Sequence, residues 1–317
     1  MHKQNKILLI DDVHDSLPKA LSSLGFDVVD GTAYSEEKIE QEIREYYGLV
    51  IRSRIFLGEK LLSKAKNLGF IARAGAGMES IDVSYAESRN IRCLNSPEGN
   101  RDAVAEHCLG LLLSLSNKLQ KANNEVKRGI WKREENRGFE IGGKTVSIIG
   151  YGNMGSAFSQ RLKSMNVHCI AYDKYKTAYT DEFVKESTME EVFEYTDILS
   201  LHLPLTEETR YLVDKNYLSR FKKNIVLINT ARGPIVKTND LVEALQSKKI
   251  IAAALDVLEY EKTSFENLAM EALPDSFHFL AKAENVILTP HIAGWTVESR
   301  RKHGEILLEK IKNQIIS

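Results

Sequence analysis

The chain has 317 residues, enough for about two domains, and its 43% of hydrophobic residues can furnish a core for each. Forty-three basic against 44 acidic side chains leave nothing that asks for nucleic acid or an anionic membrane surface. Cys93, Cys108 and Cys169 form no disulfide or zinc pattern, and no apolar run suits a signal peptide or a bilayer span, so a reducing cytoplasm is expected.

From the start, KILLIDD reads as a buried strand, followed by a helix over 17–24 closed by Gly25. Strands are expected over 26–29, 49–52, 70–73 and 91–94, with helices over 36–46 and 58–67. Short apolar strands alternating with amphipathic helices predict a parallel sheet covered on both faces. The turn-rich Asn95-Ser96-Pro97-Glu98-Gly99-Asn100 ends this pattern. A single helix is expected over 101–127, apolar nearly all round over 103–115 and so buried between layers or subunits. Glu106 and His107 inside it read better as polar residues pinning a buried helix than as a catalytic pair. The charge run 132–137 is a solvated loop.

The stretch from Thr145 to Asp173 organises the second half. An apolar strand over 146–149 leads into Gly150-Tyr151-Gly152-Asn153-Met154-Gly155, then a helix over 156–164, a strand over 168–172, and Asp173 eighteen residues past Gly155. That order makes the glycines a dinucleotide turn. The chain bends sharply, its backbone approaches a pyrophosphate at a helix N-terminus, and the carboxylate accepts from the adenosine ribose. Asp173 also favours NAD over NADP, because a 2′-phosphate about 4 Å away meets repulsion of roughly 4 kcal/mol per unit charge at an effective dielectric near 20. Lys174 and Lys176 weigh against that preference.

The alternation resumes with strands over 198–201, 225–228, 252–255 and 286–288 and helices over 215–221, 240–246 and 265–269. A long amphipathic helix over 297–315 can return to the first domain. In such sheets ligands gather beyond the carboxyl ends of strands. Arg232, Glu261 and His291 all follow strand ends. A guanidinium can hold a carboxylate and polarise a carbonyl, and an imidazole paired with a carboxylate can move a proton near neutral pH. Hydride transfer at a carbon bearing oxygen needs both. Eight dispersed histidines without HxxxH or HExxH spacing leave no metal site expected.

With ARAGAGMESID, NSPEGNRDAVAEH, IIGYGNMG, LHLPLTEETRYLVD, INTARGPIV, ALDVLEYE and LTPHIAGWT in order, the chain resembles the D-isomer-specific 2-hydroxyacid dehydrogenases over nearly its whole length, nearest their D-3-phosphoglycerate dehydrogenase branch. The resemblance implies an α/β protein of two doubly wound parallel-sheet domains. One is a Rossmann NAD domain over 99–292. The other is a smaller flavodoxin-like substrate domain over 1–98, completed by the helix 296–317. It implies Arg232, Glu261 and His291 as catalytic residues. NAD would contact Gly150, Gly152, Asn153, Met154, Gly155, Asp173, His202, Pro204, Thr209, Thr230, Ala231, Arg232, Asp256 and His291. The substrate would contact Arg52, Ser53, Arg54, Ala76, Gly77, Met78 and Asn100, its carboxylate lying on the amides around Ala76, Gly77 and Met78. The helix after Asn100 and the arm through Trp131 resemble the family's dimer element, so a homodimer, or a tetramer built from it, is expected. Where many members have Pro after the catalytic Glu, this chain has Lys262.

Two guanidiniums at Arg52 and Arg54 could bind a phosphate, which would make 3-phosphoglycerate the substrate and serine biosynthesis the pathway. The plainer reading leaves one in solvent and pairs the other with a local acid such as Glu59. Hydroxypyruvate or glyoxylate reduction is then the alternative. Ending at Ser317, the chain is expected to lack the regulatory domain appended to some phosphoglycerate dehydrogenases. A non-catalytic NAD sensor, like the family's co-repressor branch, is the reading from another class; the absence of long disordered tails and of a basic DNA-binding stretch speaks against it.

Overall fold

The computed structural model describes residues 5–261 and 273–316. They form two compact units, residues 5–101 with 295–316 and residues 102–261 with 273–294. The helix expected over 265–269 and Lys262 lie outside the described residues.

The first unit runs β1 (Lys6–Leu9), α1 (Ser16–Ser23), β2 (Asp27–Asp30), α2 (Glu36–Glu42), β3 (Gly48–Ile51), α3 (Glu59–Leu62), β4 (Phe70–Arg73), α4 (Val83–Ser88) and β5 (Arg92–Asn95). All five strands are parallel, in the order β2-β1-β3-β4-β5, the flavodoxin-like winding. Alternate residues of a strand face opposite ways, so β1 serves two cores. Leu8 packs with Ile39, Leu49 and Ile71 on one face, while Ile7 packs with Leu17, Val50 and Phe70 on the other. Leu307 and Ile311 of the C-terminal helix Val297–Ile311 seal the second face. That helix starts at a capping box made by Thr296 and Ser299.

The second unit holds α5 (Arg101–Ser116), α6 (Leu119–Val126), β6 (Thr145–Ile149), α7 (Asn153–Leu162), β7 (His168–Tyr172), β8 (Lys185–Glu186), α8 (Met189–Tyr195), β9 (Ile198–Leu201), α9 (Lys215–Ser219), β10 (Ile225–Asn229), α10 (Thr238–Gln246), β11 (Ile250–Leu255), α11 (Asp275–Lys282) and β12 (Val286–Leu288). Its sheet is also wholly parallel, in the order β12-β11-β10-β9-β6-β7-β8. The winding reverses between β6 and β9, which opens a crevice at their carboxyl ends.

The single helix expected over 101–127 is two. Ser116 Oγ and Asn117 Nδ2 both donate to the Leu113 carbonyl, at 3.2 and 3.0 Å, and Lys118 turns left-handed at φ 50° before α6 begins. Short polar side chains competing for a helix carbonyl end the run that apolar patterning would prolong. The helix expected over 58–67 contracts to α3 and turns. Among the described residues no helix is long and apolar enough to cross a membrane, and no group of three His, Cys, Asp or Glu side chains could hold a metal ion.

Candidate active site

The crevice is built first from the turn after β6. Gly150 has φ +92°, and a Cβ there would lie 2.5 Å from the His202 carbonyl oxygen. A Cβ on Gly155 would lie 2.2 Å from the Gly150 carbonyl oxygen, so helix and turn can close only on glycine. Gly152 caps α7 without a side-chain acceptor, and a Cβ at Gly152 would meet only open space. Asn153, Met154 and Gly155 thus supply a helix N-terminus with a clear approach, as a pyrophosphate requires. We expect Gly155→Val to raise the NADH dissociation constant tenfold or more, since overpacking costs about 1–3 kcal/mol. Fluorescence titration of protein with unchanged circular dichroism checks this, and unaltered affinity would remove the turn from the site.

Asp173 is fastened beside this turn. Its Oδ2 accepts from the Tyr151 amide at 2.8 Å and its Oδ1 from the Tyr175 amide at 3.0 Å, and each oxygen keeps lone-pair capacity for a ribose hydroxyl. Lys174 pairs with Glu208, and Lys176 donates to the Tyr151 carbonyl at 2.8 Å. Both lysines are engaged within the protein, so Asp173 dominates the charge offered to the ribose, and the residues fit NAD. Across the crevice, His202 shares a 2.8 Å hydrogen bond with Ser200, and burial pushes its pKa down to about 4, leaving it neutral. Thr209 donates to the Pro204 carbonyl at 2.6 Å and accepts from the Thr206 amide at 2.8 Å, which closes the loop after β9.

The proposed acid–base residues follow the ends of β10, β11 and β12, and two of them, Glu261 and His291, meet. Asn229 folds the end of β10, accepting from the Ala231 amide and donating to the Arg232 carbonyl, both at 3.0 Å. Arg232 is extended, with Nη1 donating to the Ala231 carbonyl at 2.6 Å. Thr230 Oγ1 lies 3.1 Å from Cys108 Sγ on α5. His291 Nδ1 lies 2.8 Å from Glu261 Oε2, and the other oxygen of Glu261 accepts from the Leu258 amide. The carboxylate is therefore held at both ends and aimed at one ring nitrogen.

Asp256 fixes the loop that carries His291. Fully buried, its carboxylate accepts from Thr289 Oγ1 at 2.6 Å, the Ile292 amide at 2.9 Å and the Ala293 amide at 2.8 Å. His291 itself stands at φ 56° and donates its amide to the Asp256 carbonyl at 2.7 Å. A non-glycine residue rarely adopts that conformation unless its surroundings impose it. His107 joins this cluster, with Nε2 at 3.2 Å from Thr289 Oγ1 and 3.5 Å from Asp256 Oδ1. Glu106 instead points to Arg161 at 3.6 Å and is exposed, so the two do not act as a pair. Thr289 and Asn229 belong to the cluster without being candidates by motif, although a hydroxyl and an amide directly at strand ends are a usable signal.

In the first unit, Asn95 Nδ2 donates to the Ala76 carbonyl at 2.7 Å and the Ile81 amide to the Met78 carbonyl at 2.9 Å. The amides of Ala76, Gly77 and Met78 donate to no acceptor among the described residues, which suits an anion nest. Asn100 Oδ1 is buried without a hydrogen-bond partner.

The paired-arginine expectation needs correction. Arg54 is turned into its own unit, donating to the Tyr34 carbonyl at 2.8 Å and the Gly31 carbonyl at 3.0 Å, with Nε 3.7 Å from Asp11. The acid beside it is Asp11, whose Oδ2 also accepts the amides of Arg52, Ser53 and Arg54 at 2.5, 3.0 and 3.3 Å, and not Glu59. A guanidinium spent on two carbonyls and a carboxylate cannot also clamp a phosphate. Arg52 differs: its guanidinium lies 4.1 Å from the centre of the Trp295 ring.

Residues 109–293 match the family model described as the D-isomer specific 2-hydroxyacid dehydrogenase, NAD binding domain. The chain is 34% identical to a D-3-phosphoglycerate dehydrogenase of Archaeoglobus fulgidus over 97% of its own length and 57% of that protein's. It therefore spans little more than half of that relative. It is also 34% identical to a hydroxypyruvate reductase of Thermotoga maritima, over 96% of this chain and 97% of the other. Among solved structures, a D-lactate dehydrogenase from Aquifex aeolicus, complexed with NAD and lactic acid, superposes with TM-score 0.83 at 26% identity, covering 98% of this chain and 96% of that one. The winding of both sheets, the glycine turn and these matches agree, and the chain belongs to the D-isomer specific 2-hydroxyacid dehydrogenase family and carries its NAD-binding domain.

Proposed function

We propose that this protein interconverts a D-2-hydroxy acid and its 2-oxo acid with NAD. The observation that carries the reading is the 2.8 Å contact between His291 Nδ1 and Glu261 Oε2, in the same unit as a turn suited to a dinucleotide. The nicotinamide, when bound, accepts or supplies the hydride. In the oxidative direction His291 takes the proton of the substrate hydroxyl through Nε2. Glu261 holds the ring and stabilises the imidazolium through Nδ1. Arg232 fixes the carboxylate and polarises the C2 oxygen. In the reductive direction the same proton returns to that oxygen. The amides of Ala76, Gly77 and Met78, with Asn100, receive the substrate.

The preferred substrate in this reading is 3-phosphohydroxypyruvate, which would place the protein in serine biosynthesis, with hydroxypyruvate as the alternative. Arg52 would meet the phosphate, since its guanidinium has no hydrogen-bonded acceptor among the described residues. Homodimers would form through α5, α6 and the arm, where Leu119 and Trp131 are 55% and 77% exposed. A cytoplasmic site of action goes with this assignment.

NADH oxidation with 3-phosphohydroxypyruvate and hydroxypyruvate side by side tests the reading. Arg52→Ala should raise KM for the phosphorylated acid by roughly tenfold to a hundredfold, the worth of a charge-assisted contact of about 1.5–3 kcal/mol. Arg54→Ala should instead lower thermal stability. Equal use of both acids, insensitive to Arg52, would move the protein to the hydroxypyruvate reductases, and no turnover with either would remove the enzyme reading.

A further inference from the structure

We propose that Trp295 is a specificity-determining residue that positions the Arg52 guanidinium for a second anionic group on the substrate. This rests on the 2-oxo acid reading given above. The backbone of Arg52 is fixed from both sides. Its amide donates to Asp11 at 2.5 Å, and its carbonyl accepts from Arg73 Nε at 3.1 Å and Ser80 Oγ at 3.3 Å. Among the described residues nothing comparable holds the head group except the ring of Trp295, whose centre lies 4.1 Å from it.

The surrounding charges are already committed. Asp11 serves three amides and Arg54, and Asp12 accepts from Arg300 Nη2 at 2.5 Å. Burial lowers the Arg52 pKa, opposed by Asp11 and Asp12 and reinforced by Arg300, yet a guanidinium stays charged. A guanidinium held over an aromatic ring by cation–π attraction keeps N–H groups to offer to a carboxylate or phosphate edge. Trp295 remains 66% exposed, more than packing into a core would leave, so its free surface borders the same solvent as the donors. A flexible arginine must be ordered when an anion binds, whereas a stacked one is ordered beforehand.

Steady-state kinetics of Trp295→Ala and Trp295→Phe with 3-phosphohydroxypyruvate and glyoxylate test this. Alanine should raise KM for the phosphorylated acid about fivefold or more while leaving KM and kcat for glyoxylate within about twofold, and phenylalanine should recover part of the loss. A second readout needs no turnover. In a Trp131→Phe background Trp295 is the sole tryptophan. Inorganic phosphate should change its emission saturably, and Arg52→Ala should abolish the response. Equal losses with both acids, or a phosphate response that survives Arg52→Ala, would overturn the role of Trp295 while leaving the dehydrogenase reading intact. Absence of turnover by the unsubstituted protein would defeat that reading, and a phosphate response alone would then decide the positioning role.

Discussion

Replacing His291 with alanine is expected to lower kcat for 2-oxo acid reduction by about a thousandfold, within the 10²–10⁴ that a positioned acid or base contributes. The NADH dissociation constant should change by only a few-fold, since the proposed dinucleotide site is centred on the glycine turn and Asp173. Alanine at φ 56° adds a backbone cost of its own, so His291→Asn is the better partner experiment. Asparagine tolerates that conformation but cannot take or return a proton as an imidazole does. If both variants lose turnover equally, the chemistry of the imidazole and not the loop conformation is responsible. Glu261→Gln should cost less, because a neutral amide can still hold the ring but no longer stabilises the imidazolium. Retained turnover in His291→Asn would sink the acid–base assignment.

Much of this arrangement is written in local sequence, and the exceptions share a cause. β4 falls on the expected residues because a strand buried on both faces is a short unbroken apolar run. The glycine turn is legible because three glycines, a helix and an acid must stand in order for the backbone to close as it does at Gly155. α8 went unread even though Thr188 and Glu191 form a capping box ahead of it, a signal the apolar pattern alone does not include. β8 is two residues long, too short for any period to register. That one arginine pairs with an acid is a reading the sequence offers, but which arginine and which acid is not legible. Two arginines separated by one serine look equivalent in a sequence, and only the carbonyls of Gly31 and Tyr34, some twenty positions earlier, distinguish them. Likewise His107 is one polar residue in an apolar helix until folding brings it to Thr289 and Asp256, more than 140 positions away.

Asp256→Ala is expected to destabilise the protein by about 3–5 kcal/mol, because it removes a fully buried carboxylate that accepts from the Thr289 hydroxyl and from the amides of Ile292 and Ala293. For a chain of this size that corresponds to a fall in Tm on the order of 10 °C. Asp256→Asn should fall between, since one oxygen survives while the new NH2 confronts a backbone amide, of Ile292 or Ala293, that can only donate. The same three contacts hold the loop around His291, whose amide reaches the Asp256 backbone. Turnover should therefore drop together with stability, although in this account the carboxylate acts through the loop. The NADH dissociation constant should move by only a few-fold at temperatures where the variant remains folded. The opposite pattern, in which NADH affinity falls a hundredfold while Tm is unchanged, would mean that the carboxylate meets the cofactor directly and that the loop holds itself.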